Sequence, residues 1–418
     1  FECKALLRVD LKGCTKLASV GTSAFAYCSS LMSVVFPDSL TQTGDGAFGD
    51  CTSLTSVVLP DSLTQLGDGA FQDCTSLTSM VLPDSLTRIG KWAFLKCSSL
   101  TSVVLPDNLT HLGEQAFMEC TSLASVVFAE SLTQMGKQAF TRCSSLTSVV
   151  LPDSLTQLGN GAFGACSSLT SVVLPDSLTQ VGDAAFYGCS SLTSLVIPES
   201  LTQISKQAFQ NCSSLRSVVL PDSLTQLGER AFQDCTSLTS LVFPDSLTQL
   251  GDTAFCQCTS LTSVVLPNSL TQVGLYAFAK CTSLTSVVMP DSLTQLGKQA
   301  FADCSYLTSV LMPDSAEIGD NVFLQCDALV QKAALAGFDS VEPYLRDRFK
   351  CITLRKLILR LLRKYNKAVN NADGTEVEKH ATALALFPAD NTGSLEVGLF
   401  LQKMNVSGGD GVIGLVGY

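Results

Sequence analysis

The chain has 418 residues, a formal net charge of −11 and only 15% charged residues. This length is too great for one compact core, but it suits a quasi-linear array of repeated units. The acidic balance argues against nucleic acid as a partner, because phosphates repel an acidic surface, and no apolar run approaches the roughly 18 residues of a membrane-spanning helix.

Charge separates the chain into two regions. Residues 1–326 carry 14 basic and 27 acidic side chains, a net charge of −13, whereas residues 327–418 carry 12 and 10, a net charge of +2. No secretory signal is visible, but the chain begins at Phe1 rather than Met, which leaves open a targeting segment that precedes it.

A 23-residue unit recurs nearly unchanged from about Leu31 to Cys326, and it reads LTSVVLPDSLTQLGDGAFQDCTS at Leu54–Ser76. Self-similarity at a fixed period indicates a solenoid, because a single unit cannot bury its apolar face and must stack on its neighbours. With strands about 4.8 Å apart, 13–14 coils predict a rod roughly 60–70 Å long. The period is marked by phenylalanines at Phe25, Phe48, Phe71, Phe94, Phe117, Phe140, Phe163, Phe186, Phe209, Phe232, Phe255, Phe278, Phe301 and Phe323.

Each unit begins with a short predicted strand, Ser56–Leu59 in the coil read above. Side chains alternate along a strand, so Val57 and Leu59 are predicted to face the core and Val58 to face outward. Pro60 ends the strand because it cannot donate a ladder hydrogen bond. The other inward apolar groups are predicted to be Leu54, Leu63, Leu66, Ala70, Phe71 and Cys74, the last three on one short helical turn.

The recurring pattern L-x-x-V-x-L-P-x-S-L-T-x-L-G-x-x-A-F-x-x-C resembles the BspA-like class of leucine-rich repeats over about residues 17–326. The resemblance implies a right-handed β-solenoid, a role in protein–protein contact or adhesion, and no catalytic residues to transfer. We therefore expect a mainly β fold with short helical turns, a helical C-terminal cap and an extended tail. The few departures include Ala129-Glu130 in place of Pro-Asp and Ser205 in place of glycine.

Four parts are predicted along the chain. Residues 1–24 are an atypical, charged N-terminal capping coil, residues 25–326 the solenoid, residues 327–370 a helical C-terminal cap, and residues 371–418 a C-terminal tail.

The outward-facing valines form an apolar column along the rod, which includes Val58, Val81, Val104, Val150 and Val173. One interpretation is β-propensity with packing between stacked valines. The other is a groove for an elongated or repetitive partner, because long exposed apolar patches usually mark contact sites.

Three large aromatic residues, Trp92, Tyr187 and Tyr276, stand where most coils carry small or polar groups. They are candidate contact residues because aromatic side chains are enriched in binding hot spots. Free variation on a solvated edge is the alternative interpretation.

One acidic residue recurs in nearly every turn after the strand, as at Asp61 and Asp84, with Asn268 as the exception. Hydrogen bonding to nearby backbone amides explains it better than a cation site does, because calcium needs six to eight oxygen ligands. Only two histidines occur, His111 and His380, and no phosphate-binding loop is present. We therefore predict no catalytic residues, no metal and no cofactor.

Fourteen of the 18 cysteines follow the phenylalanines at the same period. We interpret them as buried, reduced thiols that act as small hydrophobic residues, which favours a reducing intracellular compartment or organelle over an extracellular location. Cys3 and Cys14 leave open a disulfide in the N-terminal coil.

Residues 352–369 are predicted to form a basic amphipathic helix. Three roles are open: docking on the cap, attachment to a partner or an anionic membrane surface, and neutralisation of the acidic rod. The basic face contains Arg355, Arg360, Arg363, Lys364 and Lys367.

These features favour a non-catalytic protein–protein interaction scaffold. The first hypothesis is a structural or assembly subunit that binds other protein subunits through the solenoid and the C-terminal segment. The alternative hypothesis is a secreted or cell-surface adhesin or recognition protein.

Overall fold

The computed structural model describes residues 2–313 and 316–348 and shows a parallel β-solenoid, which confirms the predicted fold class. Each coil contributes up to two strands, one of three residues and one of two. We call the surface formed by the three-residue strands the valine face and that formed by the two-residue strands the glutamine face.

The valine face consists of Arg8–Asp10, Ser33–Val35, Ser56–Val58, Ser79–Val81, Ser102–Val104, Ser125–Val127, Ser148–Val150, Ser171–Val173, Ser194–Val196, Ser217–Val219, Ser263–Val265, Ser286–Val288 and Ser309–Leu311. The glutamine face consists of Ser19–Val20, Gln42–Thr43, Gln65–Leu66, Arg88–Ile89, His111–Leu112, Gln134–Met135, Gln157–Leu158, Gln180–Val181, Gln203–Ile204, Gln226–Leu227, Gln249–Leu250, Gln272–Val273, Gln295–Leu296 and Glu317–Ile318.

Paired strands run parallel, and equivalent residues of successive coils lie opposite each other, as Ser56 does to Ser79. The first coil is longer than the 23-residue unit. Its strand residue Arg8 pairs with Ser33, which lies 25 residues further along the chain. Val9 is buried there, as Val34 is in the next coil. The N-terminal residues that fit the repeat only loosely therefore still supply a paired strand.

The inward pattern predicted from the sequence is confirmed. Val57, Leu59, Leu63 and Leu66 are all 3% exposed or less, and the phenylalanine rings stack in one column through the rod. The ring centroids of Phe140 and Phe163 lie 5.4 Å apart with an interplanar angle of 5°. Stacked rings at every coil fill the space that one coil alone would expose to water.

The segment around each phenylalanine is a run of turns, not the predicted helical turn. Its backbone amides alternate in direction: the N–H of Phe71 donates to the Ala93 carbonyl of the next coil at 2.8 Å, whereas that of Gln72 donates to Gly69 at 3.0 Å. Asp73 has a φ of 54°, and equivalent residues of most other coils share this left-handed conformation. An α-helix would direct all of its amides within the coil, so inter-coil bonding excludes it.

A column of glycines follows the glutamine face, and it marks where successive coils approach most closely. A Cβ built on Gly136 would lie 2.5 Å from the carbonyl carbon and oxygen of Gly113. Ser205 replaces this glycine in one coil, and the ladder of the glutamine face stops there, between Gln180–Val181 and Gln203–Ile204. The Ser205 hydroxyl donates to the Val181 carbonyl at 2.5 Å and bridges the break.

Two helices follow the last coil: α1 at Asp327–Leu335 and α2 at Val341–Arg348. Leu329 of α1 and Leu345 of α2 are buried against the end of the core. The basic segment 352–369 and the tail 371–418 lie outside the described residues, and the four-part division of the chain stays a prediction.

We expect Phe163→Ala to lower the free energy of unfolding of the central coils by about 3–5 kcal/mol, because it opens a cavity in the ring column. Tyr187→Ala is the matched control, because Tyr187 is 39% exposed and Phe163 is 0% exposed. Urea unfolding of the full chain measures both. Equal, small losses in the two variants would contradict the inward assignment.

Gly136→Ala should also destabilise the rod, by about 1–3 kcal/mol, because the added methyl group meets backbone that cannot move aside freely. The control is Gly21→Ala in the first coil, where a Cβ would meet nothing within 4 Å. We expect a lower urea midpoint for Gly136→Ala than for Gly21→Ala. Identical midpoints would show that the close approach at Gly136 does not stabilise the stacked coils.

Candidate interaction surfaces

The valine column is an extended apolar feature on the surface of the described residues. Val58, Val81, Val104, Val150 and Val173 are 67%, 60%, 62%, 66% and 55% exposed. Their neighbours in the same strands, such as Val57 and Val103, are 2% exposed, because alternate side chains point into the core. The structure therefore brings all five predicted valines onto one face.

The exposed part of this column ends before the end of the rod. Val219 is 51% exposed, but Val265 is half-buried and Val288 is only 7% exposed. The serines of the same strands follow the same course, since Ser171 is exposed and Ser286 is 8% exposed. The expected uniform column is thus available only over the coils up to Val219.

The strands of the valine face pair mainly two by two. Ser56–Val58 pairs with Ser79–Val81, and Ser102–Val104 pairs with Ser125–Val127, but no ladder joins these two pairs. This alternation between coils was not predicted from the sequence, because neighbouring units are nearly identical in sequence.

The three candidate aromatic residues do not form one cluster. Trp92 and Tyr276 share a position in the repeat eight coils apart, which corresponds to about 38 Å along the rod. Both have a positive φ, of 56° and 54°. Tyr187 follows a buried phenylalanine and so occupies a different position in the repeat. The Trp92 indole N–H already donates to the Gln115 side chain at 2.7 Å.

A groove of about 610 Å³ lies on the glutamine face and was not predicted from the sequence. It spans the coils from Gln203 to Gln295, and its wall contains Lys206, Glu229 and Asp252. The only signal in the sequence is Ser205, which interrupts the glycine column where the groove begins.

The fourteen periodic cysteines are buried, as predicted. Each thiol of the ladder from Cys51 to Cys326 donates to the carbonyl of a phenylalanine in the preceding coil, as Cys74 does to Phe48 at 3.2 Å. Burial raises the pKa of the Cys51 and Cys166 thiols to about 12. Such thiols stay protonated and out of reach of oxidants.

Among residues 2–313 and 316–348, no group of three or more histidine, cysteine or acidic side chains is placed to hold a metal ion. Within the same residues, no helix is both long and apolar enough to cross a membrane. The predicted basic contacts Arg355, Arg360, Arg363, Lys364 and Lys367 lie outside the described part, and their three open roles stay predictions.

The model of the BspA type leucine-rich repeat region matches residues 18–147, 134–262 and 227–344. The chain belongs to this family. The match confirms the resemblance inferred from the 23-residue unit, and it covers nearly the whole described solenoid. No curated protein matches the chain.

Several solved structures are similar to this chain. A leucine-rich repeat protein from Bacteroides ovatus is 28% identical, with a TM-score of 0.72, over 80% of this chain and 90% of its own. A leucine-rich cell surface protein from Faecalibacterium prausnitzii is 28% identical, with a TM-score of 0.49, over 73% and 87%. A leucine-rich repeat protein from Eubacterium ventriosum is 20% identical, with a TM-score of 0.42, over 72% and 84%.

The predicted reducing intracellular compartment is wrong. Proteins of the BspA type family, to which this chain belongs, are described as cell-surface or secreted proteins. The physical error lies in the inference from the thiols. A thiol that is buried, protonated and bonded to a carbonyl persists in an oxidising environment as well, so the thiol column does not report the compartment.

Because the folded thiols hold their protons more tightly than unfolded ones, the rod should lose stability as pH rises above the unfolded pKa of about 8.5 toward the folded pKa of about 12. The expected loss is up to about 1.4 kcal/mol per pH unit for each such thiol. Urea unfolding at rising pH measures it, and Cys166→Ala should give a shallower dependence. Equal slopes for variant and parent would contradict the assignment.

Proposed function

We propose that the protein is a cell-surface recognition protein that binds an elongated protein partner along the valine face. The observation that supports this most is the run of exposed valines from Val58 to Val219, eight coils in succession, each 51–67% exposed. Seven steps between coils make this apolar column about 34 Å long. Exposed apolar surface of this extent favours a contact site.

The energetics favour an extended partner over a small ligand. Removing one such valine from water stabilises a complex by about 1 kcal/mol, so the column contributes roughly 8 kcal/mol in all. Association alone costs about 4–15 kcal/mol, so a ligand that covers only a few coils binds weakly. A partner that covers the whole column also contacts the exposed serines of the same strands, which can supply hydrogen bonds.

Family membership supports recognition at the cell surface over the role of an assembly subunit. Proteins of this family are in general binding scaffolds without enzymatic activity, which agrees with our proposal of a non-catalytic role. The partner class that we propose is protein.

The test is to screen purified extracellular proteins for binding to the full chain, and then to measure the affinity of variants for each protein that binds. We expect Val150→Glu with Val173→Glu to weaken binding at least tenfold, because two carboxylates would lose water in the contact. The matched control, Gln157→Glu with Gln180→Glu, adds the same charges to the glutamine face of the same coils. Unchanged binding by the valine variant, or equal loss in both, would rule out this surface.

A further inference from the structure

The groove on the glutamine face is the strongest unassigned site in the described part of the chain. Its outer wall presents the side chains of Gln203, Gln226, Gln249, Gln272 and Gln295, all exposed and one coil apart. Four steps between coils make this wall about 19 Å long. The groove therefore fits a chain-like ligand with a short repeat.

The five side-chain amide groups of this wall make no hydrogen bond to any residue of the described chain. Other glutamines of the same column, such as Gln134 and Gln157, are exposed in the same way, and what distinguishes these five is that they line a groove. At other positions of the repeat some glutamines are engaged, since the Gln115 amide donates to the Gln138 carbonyl oxygen at 2.5 Å. Each free amide offers two donor hydrogens and an acceptor oxygen. The wall is thus a regular array of unused donors and acceptors.

The floor of the groove offers no apolar pocket. It contains glycines, such as Gly251, and aliphatic residues whose side chains point into the core, since Ile204, Leu227 and Val273 are each 2% exposed. These residues present mainly their backbone to the groove. Leu275, which is 44% exposed, is the one exposed aliphatic side chain among the lining residues. A single such group gives a peptide partner few anchoring contacts, whereas a polyhydroxylated ligand needs none.

Charge narrows the class of ligand further. The opposite wall contains Asp183, Glu229 and Asp252 against the single cation Lys206, which pairs with Glu229 at 2.7 Å. Carboxylates accept hydrogen bonds from hydroxyl groups but repel anions. A neutral ligand is favoured over a sulfated or uronic one.

The groove begins where the ladder of the glutamine face is interrupted. The amide of Gly182 donates to the Leu158 carbonyl at 3.0 Å and that of Gly228 to the Ile204 carbonyl at 2.8 Å, but at Ser205 the side-chain hydroxyl makes the bond to Val181. The two coils are therefore joined at this position by a side-chain bond and not by paired strands. This site differs from the valine face and does not depend on the function proposed for it.

We propose that the groove from Gln203 to Gln295 binds a neutral oligosaccharide through its row of glutamine amides. The sugar hydroxyl groups pair with successive amides, and the carboxylates of the opposite wall accept further hydrogen bonds.

The test is an array of immobilised neutral and acidic glycans probed with the full chain, followed by calorimetric titration of cellohexaose, maltohexaose and mannohexaose. We expect binding of at least one neutral glycan series, with affinity rising with chain length, and weaker binding of acidic glycans. Gln249→Ala should weaken that binding about five- to tenfold, because it removes one set of hydrogen bonds at the centre of the groove.

Gln134→Ala is the matched control, because Gln134 occupies the same column outside the groove and should bind as the parent does. Circular dichroism checks that both variants keep the fold. The proposal is overturned if no neutral glycan binds above background or if acidic glycans bind more tightly than neutral ones. It is also overturned if Gln249→Ala and Gln134→Ala lose affinity equally, or if the groove binds a peptide whose affinity depends on Gln249 and binds no glycan.

Discussion

The backbones of successive coils are in direct contact along the glycine column, and the rest of the structure depends on this contact. At Gly113 and Gly136 the gap leaves no room for a Cβ, so the amides of each turn can reach the carbonyls of the next coil. The same approach brings the phenylalanine rings into a stack and places the thiols under carbonyl groups. Ring packing, thiol burial and inter-coil hydrogen bonding are therefore consequences of one spacing.

This contact also explains the unusual backbone of the turns. Residues such as Asp73, Lys96 and Arg142 adopt a positive φ, which costs a side-chain-bearing residue about 1–2 kcal/mol. The cost is offset only when the amide of that residue bonds to the next coil, as Asp73 does to Leu95 at 2.7 Å. A single coil would have the backbone strain of these residues without the inter-coil hydrogen bonds that offset it. Coils of this kind are therefore stable only in an array.

The alternation of Val57, Val58 and Leu59 was sufficient to predict the strands of the valine face, their inward side chains and the exposed column, because side-chain direction in a strand follows from local geometry. The two-residue strands of the glutamine face, such as Gln65–Leu66, were not predicted. The turns were not predictable in the same way. Ala70, Phe71 and Cys74 have helical spacing, but inter-coil bonds override that local preference. The groove was missed because its shape depends on how successive coils stack, and the sequence shows only one serine in the column of glycines where it begins. The compartment was missed because burial protects a thiol wherever the protein resides.

Two faces of one repeat therefore carry different chemistry. Over the coils up to Val219 the valine face exposes methyl groups and hydroxyls, which suits the contact of a protein partner. On the glutamine face the free groups are amides above a floor of backbone, which suits a hydroxylated ligand. Because each coil contacts only its neighbours, a substitution such as Ser205 changes one face locally and leaves distant coils of the other face unchanged. A rod of this kind can vary one surface without losing the other, and the break at Ser205 is such a variation within a nearly uniform array.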